Sequence, residues 1–185
     1  ILGADISISS RMPVPPETLN QLEQILPSPW ESSKKINFIT MAGNKLNSRL
    51  IQLVAIEKGY PYYGKIVLGN KKDANAKMVE EELINAGKIW VYRELLITLG
   101  LEIGDRLKLG ELDFTIGDIV LEDPSSSFST FGVAPRVYIG LPQVRKTGLL
   151  TQKSRINYDN LYKLSDYQEI QKLEDELENK IKIIG

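Results

Sequence analysis

Residues 89–142 read IWVYRELLITLGLEIGDRLKLGELDFTIGDIVLEDPSSSFSTFGVAPRVYIGLP, and the rest of the chain is organised around them. Residues 89–92 predict a short apolar strand and 93–99 a two-turn helix, with Gly100 placed to cap it. Gly104-Asp105 turns the chain into a strand at 106–109, and Gly110-Glu111 turns it into a longer strand at 113–121. Along that run Leu112, Phe114 and Ile116 line one face. Past Gly117, Ile119 and Leu121 take the face up again, so the glycine is the expected place of a β-bulge. One more strand follows at 136–140. Short strands joined by tight glycine turns describe a small barrel or sandwich. The block reads as a β-rich insert that either holds a site or supplies a contact surface.

Working outward, residues 5–9 alternate, with Ile6 and Ile8 on one side and Asp5, Ser7 and Ser9 on the other, as a half-buried strand does. Pro13, Pro15 and Pro16 lead into a helix on which Leu19, Leu22, Ile25 and Leu26 share a face, and Pro27 stops it. A strand at 35–41 sets Ile36 and Phe38 opposite Asn37. After the turn residues Gly43 and Asn44, an apolar strand at 49–57, broken only by Gln52, completes a hairpin and reads as covered on both faces. Residues 69–73 are a polar break, and 76–86 predict a helix with a thin apolar face of Val79, Leu83 and Ala86. Glu80, Glu81 and Glu82 point in different directions on such a helix, which makes them a solvated face rather than a cation site.

On the far side of the block, residues 155–164 alternate again, with Ile156, Tyr158, Tyr162 and Leu164 on one face. Ser165 and Gln168 form a capping box for a helix that sets Tyr167, Ile170, Leu173, Leu177 and Ile181 on one stripe. The expected fold is α+β. An α/β body made of residues 1–67 and 146–185 runs strand–helix–hairpin and then strand–helix, and a β-rich subdomain at 68–145 interrupts it.

The composition limits the chemistry. With 185 residues, 42% of them apolar, the chain can bury a real core, and 25% charged residues with a net charge of −1 describe an ordinary surface. Nothing in that balance points to nucleic acid or an anionic membrane as partner. The chain has no Cys and no His. That excludes disulfides, thiolate nucleophiles, a Ser-His-Asp triad and zinc sites built on His or Cys. The loop at 123–132, DPSSSFSTFG, sets three serines beside an aspartate, but a nucleophilic serine needs an activating base and none is near in sequence. What survives is two-carboxylate chemistry, which needs a pair roughly 5–10 Å apart in a cleft, and no such pair stands out. No catalytic residue, cofactor site or metal site is assigned.

No apolar run approaches the roughly 20 residues that span a bilayer; the longest, at 50–56, already contains Gln52. The chain begins at Ile1, and the expectation is a piece of a longer protein whose membrane segments, if it has them, lie outside this stretch. Residues 59–64, GYPYYG, put Tyr60, Tyr62 and Tyr63 between two glycines. They read either as a turn whose rings cover the end of a sheet or as an aromatic surface that grips a partner or hydrophobic ligand. The turn is the plainer reading. Phe128 and Phe131 in the serine-rich loop are further anchors. These five rings are the candidate contacts for a partner or cargo.

Five segments in order carry a resemblance: LGADISISSR at 2–11, LVAIEKGYPYYG at 53–64, WVYRELL with its LGLxxGD tail at 90–105, FxxFxxAPRV at 128–137, and TGLxxxxSRxxY at 147–158. Together they resemble the first extracytoplasmic domain of FtsX/MacB-type ABC transporter permeases, in particular the YbbP-like branch. The resemblance implies a periplasmic core domain, with a porter-like body interrupted by a β-rich subdomain known as the sabre. It implies a noncatalytic role: the permease passes ATP-driven motion across the membrane to extract or export lipophilic cargo, lipoproteins or the like. Its implied partners are a cytoplasmic ABC ATPase subunit and another extracytoplasmic domain of the permease or a periplasmic protein. This part would be soluble, on the periplasmic side of an inner-membrane parent. A porter-like body should continue beyond Gly185 with another strand, of which residues 181–184 would be the start; without it a sheet edge stays open. The rival reading is a stand-alone extracytoplasmic solute-binding or assembly module.

Overall fold

The structure, a computed structural model, describes residues 3–71, 73–123, 134–151 and 154–165. Its elements begin with β1 (Ile6–Ser10), α1 (Pro16–Glu23), β2 (Trp30–Gly43), β3 (Ser48–Ile56) and β4 (Val67–Leu68). A helical segment follows, α2 (Ala76–Val79) continuing as π-helical turns over Glu80–Asn85, and then β5 (Ile89–Tyr92) and α3 (Arg93–Leu99). The chain ends its described course with β6 (Arg106–Leu109), β7 (Leu112–Glu122), β8 (Arg136–Gly140), α4 (Leu141–Val144) and β9 (Asn157–Leu164). The expected helix after Ser165 with its capping box, the strand beginning at 181–184, and Phe128 and Phe131 lie outside the described residues.

The strands join in the order β1-β9-β2-β3-β8-β5-β7-β4, and β6 pairs with both β2 and β7. That double pairing closes β2, β3, β8, β5, β7 and β6 into a six-stranded barrel. β9 and β1 extend the sheet beyond β2 as an open wing. Strand β2 can serve both parts because it is 14 residues long. Its first half, Trp30 to Asn37, pairs with β9, and its last two residues, Ala42 and Gly43, pair with Leu109 and Lys108 of β6. The strand therefore starts five residues before the expected Lys35. Residues 30–34 are mostly polar and show no apolar period, but β9 supplies their backbone partners.

The barrel is filled by side chains. Phe38 and Ala42 of β2, Leu53 and Ala55 of β3, Val91 of β5, Leu107 of β6, Phe114 and Ile116 of β7, and Val137 and Ile139 of β8 all belong to one buried cluster. Leu95, Leu96 and Leu99 of α3 join it. Each fully buried side chain of this kind contributes about 1.5–3 kcal/mol of transfer free energy. The alternate residues of β3, Val54 and Ile56, face outward and are covered in turn. With Trp90, Val120 and Tyr138 they lie under the segment 60–83, whose Tyr60, Ile66, Val79 and Leu83 close a second cluster. The strand expected to be buried on both sides is so from Ile51 to Ile56. A third, smaller cluster sets Leu22 and Leu26 at α1 against Ile6, Tyr162 and Leu164 of the wing, where Trp30 meets Tyr162 edge-on at 5.7 Å.

The bulge sits where the glycine predicted it. Ile89 is opposite Ile116 while Trp90 is opposite Asp118, so Gly117 is the extra residue. After it Ile119 packs on the barrel core, as Phe114 and Ile116 do before it, and Val120 turns to the outer cluster. Leu121 departs from the expectation: it is 50% exposed, because the strand there has run past the barrel core. A second glycine is required by geometry. Gly110, at φ +59°, turns β6 into β7, and a Cβ there would stand 2.1 Å from the carbonyl oxygen of Thr147.

The fold is α+β, as the sequence predicts. The β-rich block, however, does not stand alone: the barrel takes β2 and β3 from the flanking body, and Phe38 and Leu53 share one core with Leu107 and Phe114. A cut at residues 68 and 145 would pass through a continuous sheet. At one end of the wing the Leu164 N–H donates to Asp5 Oδ2 at 2.7 Å and the Asp5 N–H to Tyr162 O at 2.9 Å. The β2–β3 turn, held by Asn44 Oδ1 accepting from the backbone N–H groups of Leu46 and Asn47, lies at the other end of β2. At about 3.3 Å per residue that strand covers about 40 Å. Among the described residues no helix is long and apolar enough to cross a membrane.

Candidate functional site

The three tyrosines have separate fates. Tyr60 is 1% exposed and belongs to the outer core, with Lys35 Nζ 5.6 Å from its ring centre. It presents no contact surface. Tyr62 is half-buried. Its hydroxyl is buried without a hydrogen-bond partner, and burial, then the charges of Glu31 and Glu57, push its pKa far up. Tyr63 is 40% exposed and donates to Asp5 Oδ2 at 2.7 Å. Burial, then the bond to Asp5 and that carboxylate's charge, push its pKa up to about 12. The segment thus straps the start of the chain to the sheet, and only Tyr62 and Tyr63 reach the surface.

Nearby carboxylates are taken up in structure. Asp118 is buried and accepts from the backbone N–H groups of Asn70, Lys71 and Ile119 at 2.7–3.0 Å, which closes the turn after β4. Glu82 accepts from the indole of Trp90 at 3.0 Å and from Lys71. Burial alone would raise its pKa, but those two bonds and the charges of Lys71 and Lys88 outweigh it and hold Glu82 below the usual range. Glu81 pairs with Lys77 at 3.8 Å, and Glu80 is exposed, so the three glutamates diverge as their spacing predicts. Among the described residues no group of three metal-ligating side chains converges.

Several open grooves remain among the described residues; a small one of about 240 Å³ lies beneath α1, between Leu19, Ile36 and Tyr158, and two others bear on function. One runs along α3 on the barrel, with Leu96, Ile97, Leu101, Ile103 and Ile119 in its wall; Ile97 is 73% exposed. The other, about 570 Å³, lies on the face of the wing opposite α1. Strand register builds its floor: Asn37 stands opposite Asn157 on one side and Val54 on the other, and Ile39 stands opposite Gln52. Asn157 Nδ2 donates to Asn37 Oδ1 at 3.5 Å, and Asn37 Nδ2 donates to Asp159 Oδ2 at 3.4 Å. Asp159 also accepts from Ser9 Oγ at 2.6 Å and faces Lys35 Nζ at 3.6 Å. Gln52 Oε1 accepts from Arg136 Nε at 3.0 Å. Arg11 and Arg155 line the groove. This geometry is suited to holding a ligand or partner by hydrogen bonds and charge. Among the described residues that line it there is no activated nucleophile. The single polar residue in an apolar strand, Gln52, was the one signal in the sequence that could have located it.

No family model matches the chain. In sequence it is 26% identical over 157 residues to the uncharacterized ABC transporter permease YbbP of Escherichia coli (strain K12). The match covers 85% of this chain and 18% of that protein, so the chain spans less than a fifth of its relative's length. In structure it resembles the extracellular domain of the noncanonic ABC-type transporter YknZ from Gram-positive bacteria, with a TM-score of 0.57, 12% identity, and coverage of 91% of this chain and 88% of that one. It also resembles the periplasmic region of MacB from Actinobacillus actinomycetemcomitans, with a TM-score of 0.51, 14% identity, and coverage of 87% and 72%. At those identities the two structures speak to the fold alone. The chain is thus akin in sequence to an ABC transporter permease and has the fold of the MacB-type extracytoplasmic domain, as its sequence motifs implied.

Proposed function

We propose that the chain is a noncatalytic extracytoplasmic domain of an ABC transporter permease, which contacts a partner or cargo and passes on movement driven by ATP hydrolysis in a separate cytoplasmic subunit. The observation that carries this reading is the conjunction of a permease as sequence relative with transporter extracellular and periplasmic regions as structural relatives. The meeting of Asp5 with Leu164 supports it. A domain that leaves a membrane and returns to it is served by first and last described strands that meet at one pole, as β1 and β9 do here, and the β2–β3 turn lies at the other end of β2. The division into a porter-like body at 1–67 and 146–185 and a sabre-like part at 68–145 belongs to this proposal, with the barrel, which draws β2 and β3 from the body, joining the two parts.

These 185 residues have no Cys, so a single one introduced here is a clean reporter once any Cys elsewhere in the parent is replaced. Leu46, at the β2–β3 turn, is 87% exposed. In the full-length parent protein, Leu46→Cys should react with a membrane-impermeant maleimide in intact spheroplasts. Labelling only after lysis would overturn the extracytoplasmic placement. A spin label at the same position should change its distance to a second label on the membrane part when the ATPase binds nucleotide. An unchanged distance in an active complex would count against transmitted movement.

A further inference from the structure

The groove on the open face of the wing has a consistent chemistry along its length. Residues Asn37, Ile39 and Met41 project from the same side of β2, and Leu50, Gln52 and Val54 stand opposite them on β3. At one end of this track are Arg11 and Arg155, both exposed and without an ion-pair partner among the described residues. In the middle lie the amides of Asn37, Gln52 and Asn157. Toward the β2–β3 turn the groove ends at Ile39, and the same face continues beyond it as an apolar surface of Met41 and Leu50, which face each other across the hairpin at 48% and 54% exposure.

The open hydrogen-bonding capacity is mostly donor. Asp159 is already committed to Ser9, Asn37 and Lys35, and among the described residues no carboxylate lines the groove. The Gln52 oxygen is taken by Arg136, which leaves its amide N–H₂ to the groove. Two guanidinium groups suit a planar anion, which each can hold with paired hydrogen bonds. A volume of about 570 Å³ is that of a small-ligand site rather than of a protein interface.

We propose that this face binds a single-chain anionic amphiphile, with its carboxylate between Arg11 and Arg155 and its alkyl chain laid over Ile39, Met41 and Leu50. The inference stands apart from the transport reading, since the groove belongs to this chain whatever its parent does. The test uses the 185-residue chain and laurate below its critical micelle concentration, with binding followed by calorimetry. Laurate should bind one to one. Acetate, which lacks the chain, and dodecyltrimethylammonium, which reverses the charge, should each bind at least about tenfold more weakly. Arg11→Gln and Arg155→Gln should each weaken laurate about tenfold, and Met41→Ser with Leu50→Ser about threefold or more, while thermal melting stays unchanged because all four side chains are at the surface.

Equal binding of the anionic and cationic amphiphiles would overturn the proposal, as would laurate binding that ignores both arginine changes. A tetraglutamate peptide that binds where laurate does not would reassign the face to an acidic protein partner. Saturation that depends on chain concentration, with a dimer in sedimentation, would reassign it to a second copy.

Discussion

The barrel and the wing share one long strand, yet they bury it differently. Beyond Ile36, strand β2 is wrapped into a closed barrel whose inner side chains are almost fully buried, and closure leaves no open edge there to protect. Before Asn37 the same strand lies between α1 on one side and the tyrosine segment on the other, where Ser33 and Leu161 are buried and Lys35 stands over Tyr60; only around Asn37 and Asn157 does that second side open into the groove. The barrel supplies most of the buried apolar area. The wing can therefore leave the stretch around Asn37 and Asn157 open without forfeiting the fold, and that stretch is the floor of the polar groove.

The largest expected effect tests the barrel directly. Leu53→Ala, at a position with no exposure, should lower unfolding free energy by about 2–5 kcal/mol in urea titration. Ile8→Ala in the wing, half-buried against α1, should cost about 1 kcal/mol or less. Equal losses at the two sites would erase the contrast. Next come the two aspartates. Asp118→Ala strands three backbone N–H groups beneath the β4 turn and should cost about 2–3 kcal/mol. Asp159→Ala, whose lost partners are the side chains of Ser9, Asn37 and Lys35 at the groove edge rather than backbone N–H groups, should cost less, about 1–2 kcal/mol.

The pH dependence sharpens the comparison further. Glu82 has its folded pKa held below the ordinary value of 4.5, so its stabilisation is present above pH about 4.5 and is lost as pH falls through the folded pKa. Glu82→Gln should flatten melting temperature against pH on that acid limb. At the alkaline end Tyr63 has the opposite sign. Its pKa is raised from 10.0 to about 12, so the contribution of the neutral phenol is full below pH 10 and fades as pH climbs toward 12. Tyr63→Phe should remove that part of the alkaline decline, and an unchanged profile would deny the bond to Asp5 any weight. Smallest of all, Leu46→Ser should move stability by no more than about 0.5 kcal/mol, since its side chain is almost wholly in solvent.

Much of this was legible in the sequence where a local rule decides the structure. The β5–α3–Gly100 unit, the turn at Gly110 and the bulge at Gly117 each follow from residue type and period, and they stand where expected. What escaped is what depends on pairing between distant segments. Residues 30–34 carry no strand pattern of their own and become one by lying beside β9. Barrel closure rests on two register positions between β2 and β6, which no periodicity announces. The amide floor of the groove is assembled from Asn37, Gln52 and Asn157 on three neighbouring strands, and each is unremarkable alone. The tyrosine segment shows the converse: an aromatic cluster visible in the sequence sends Tyr60 into the core and gives Tyr63 to Asp5.

The clasp between Asp5 and Leu164 has a mechanical consequence. β1 and β9 run antiparallel and begin and end at the same pole, so tension applied between the two ends would peel their rungs apart one at a time, starting at Ile6 and Tyr162. Peeling loads a single hydrogen-bonded rung, whereas sliding along the strands would load all of them together. Pulling Asp5 away from Leu164 is therefore a stress that the β1–β9 pair resists one rung at a time. Thrust or tilt applied along β2 meets a strand held by β9, β3 and β6, and is carried as a rigid strut to the turn at Leu46.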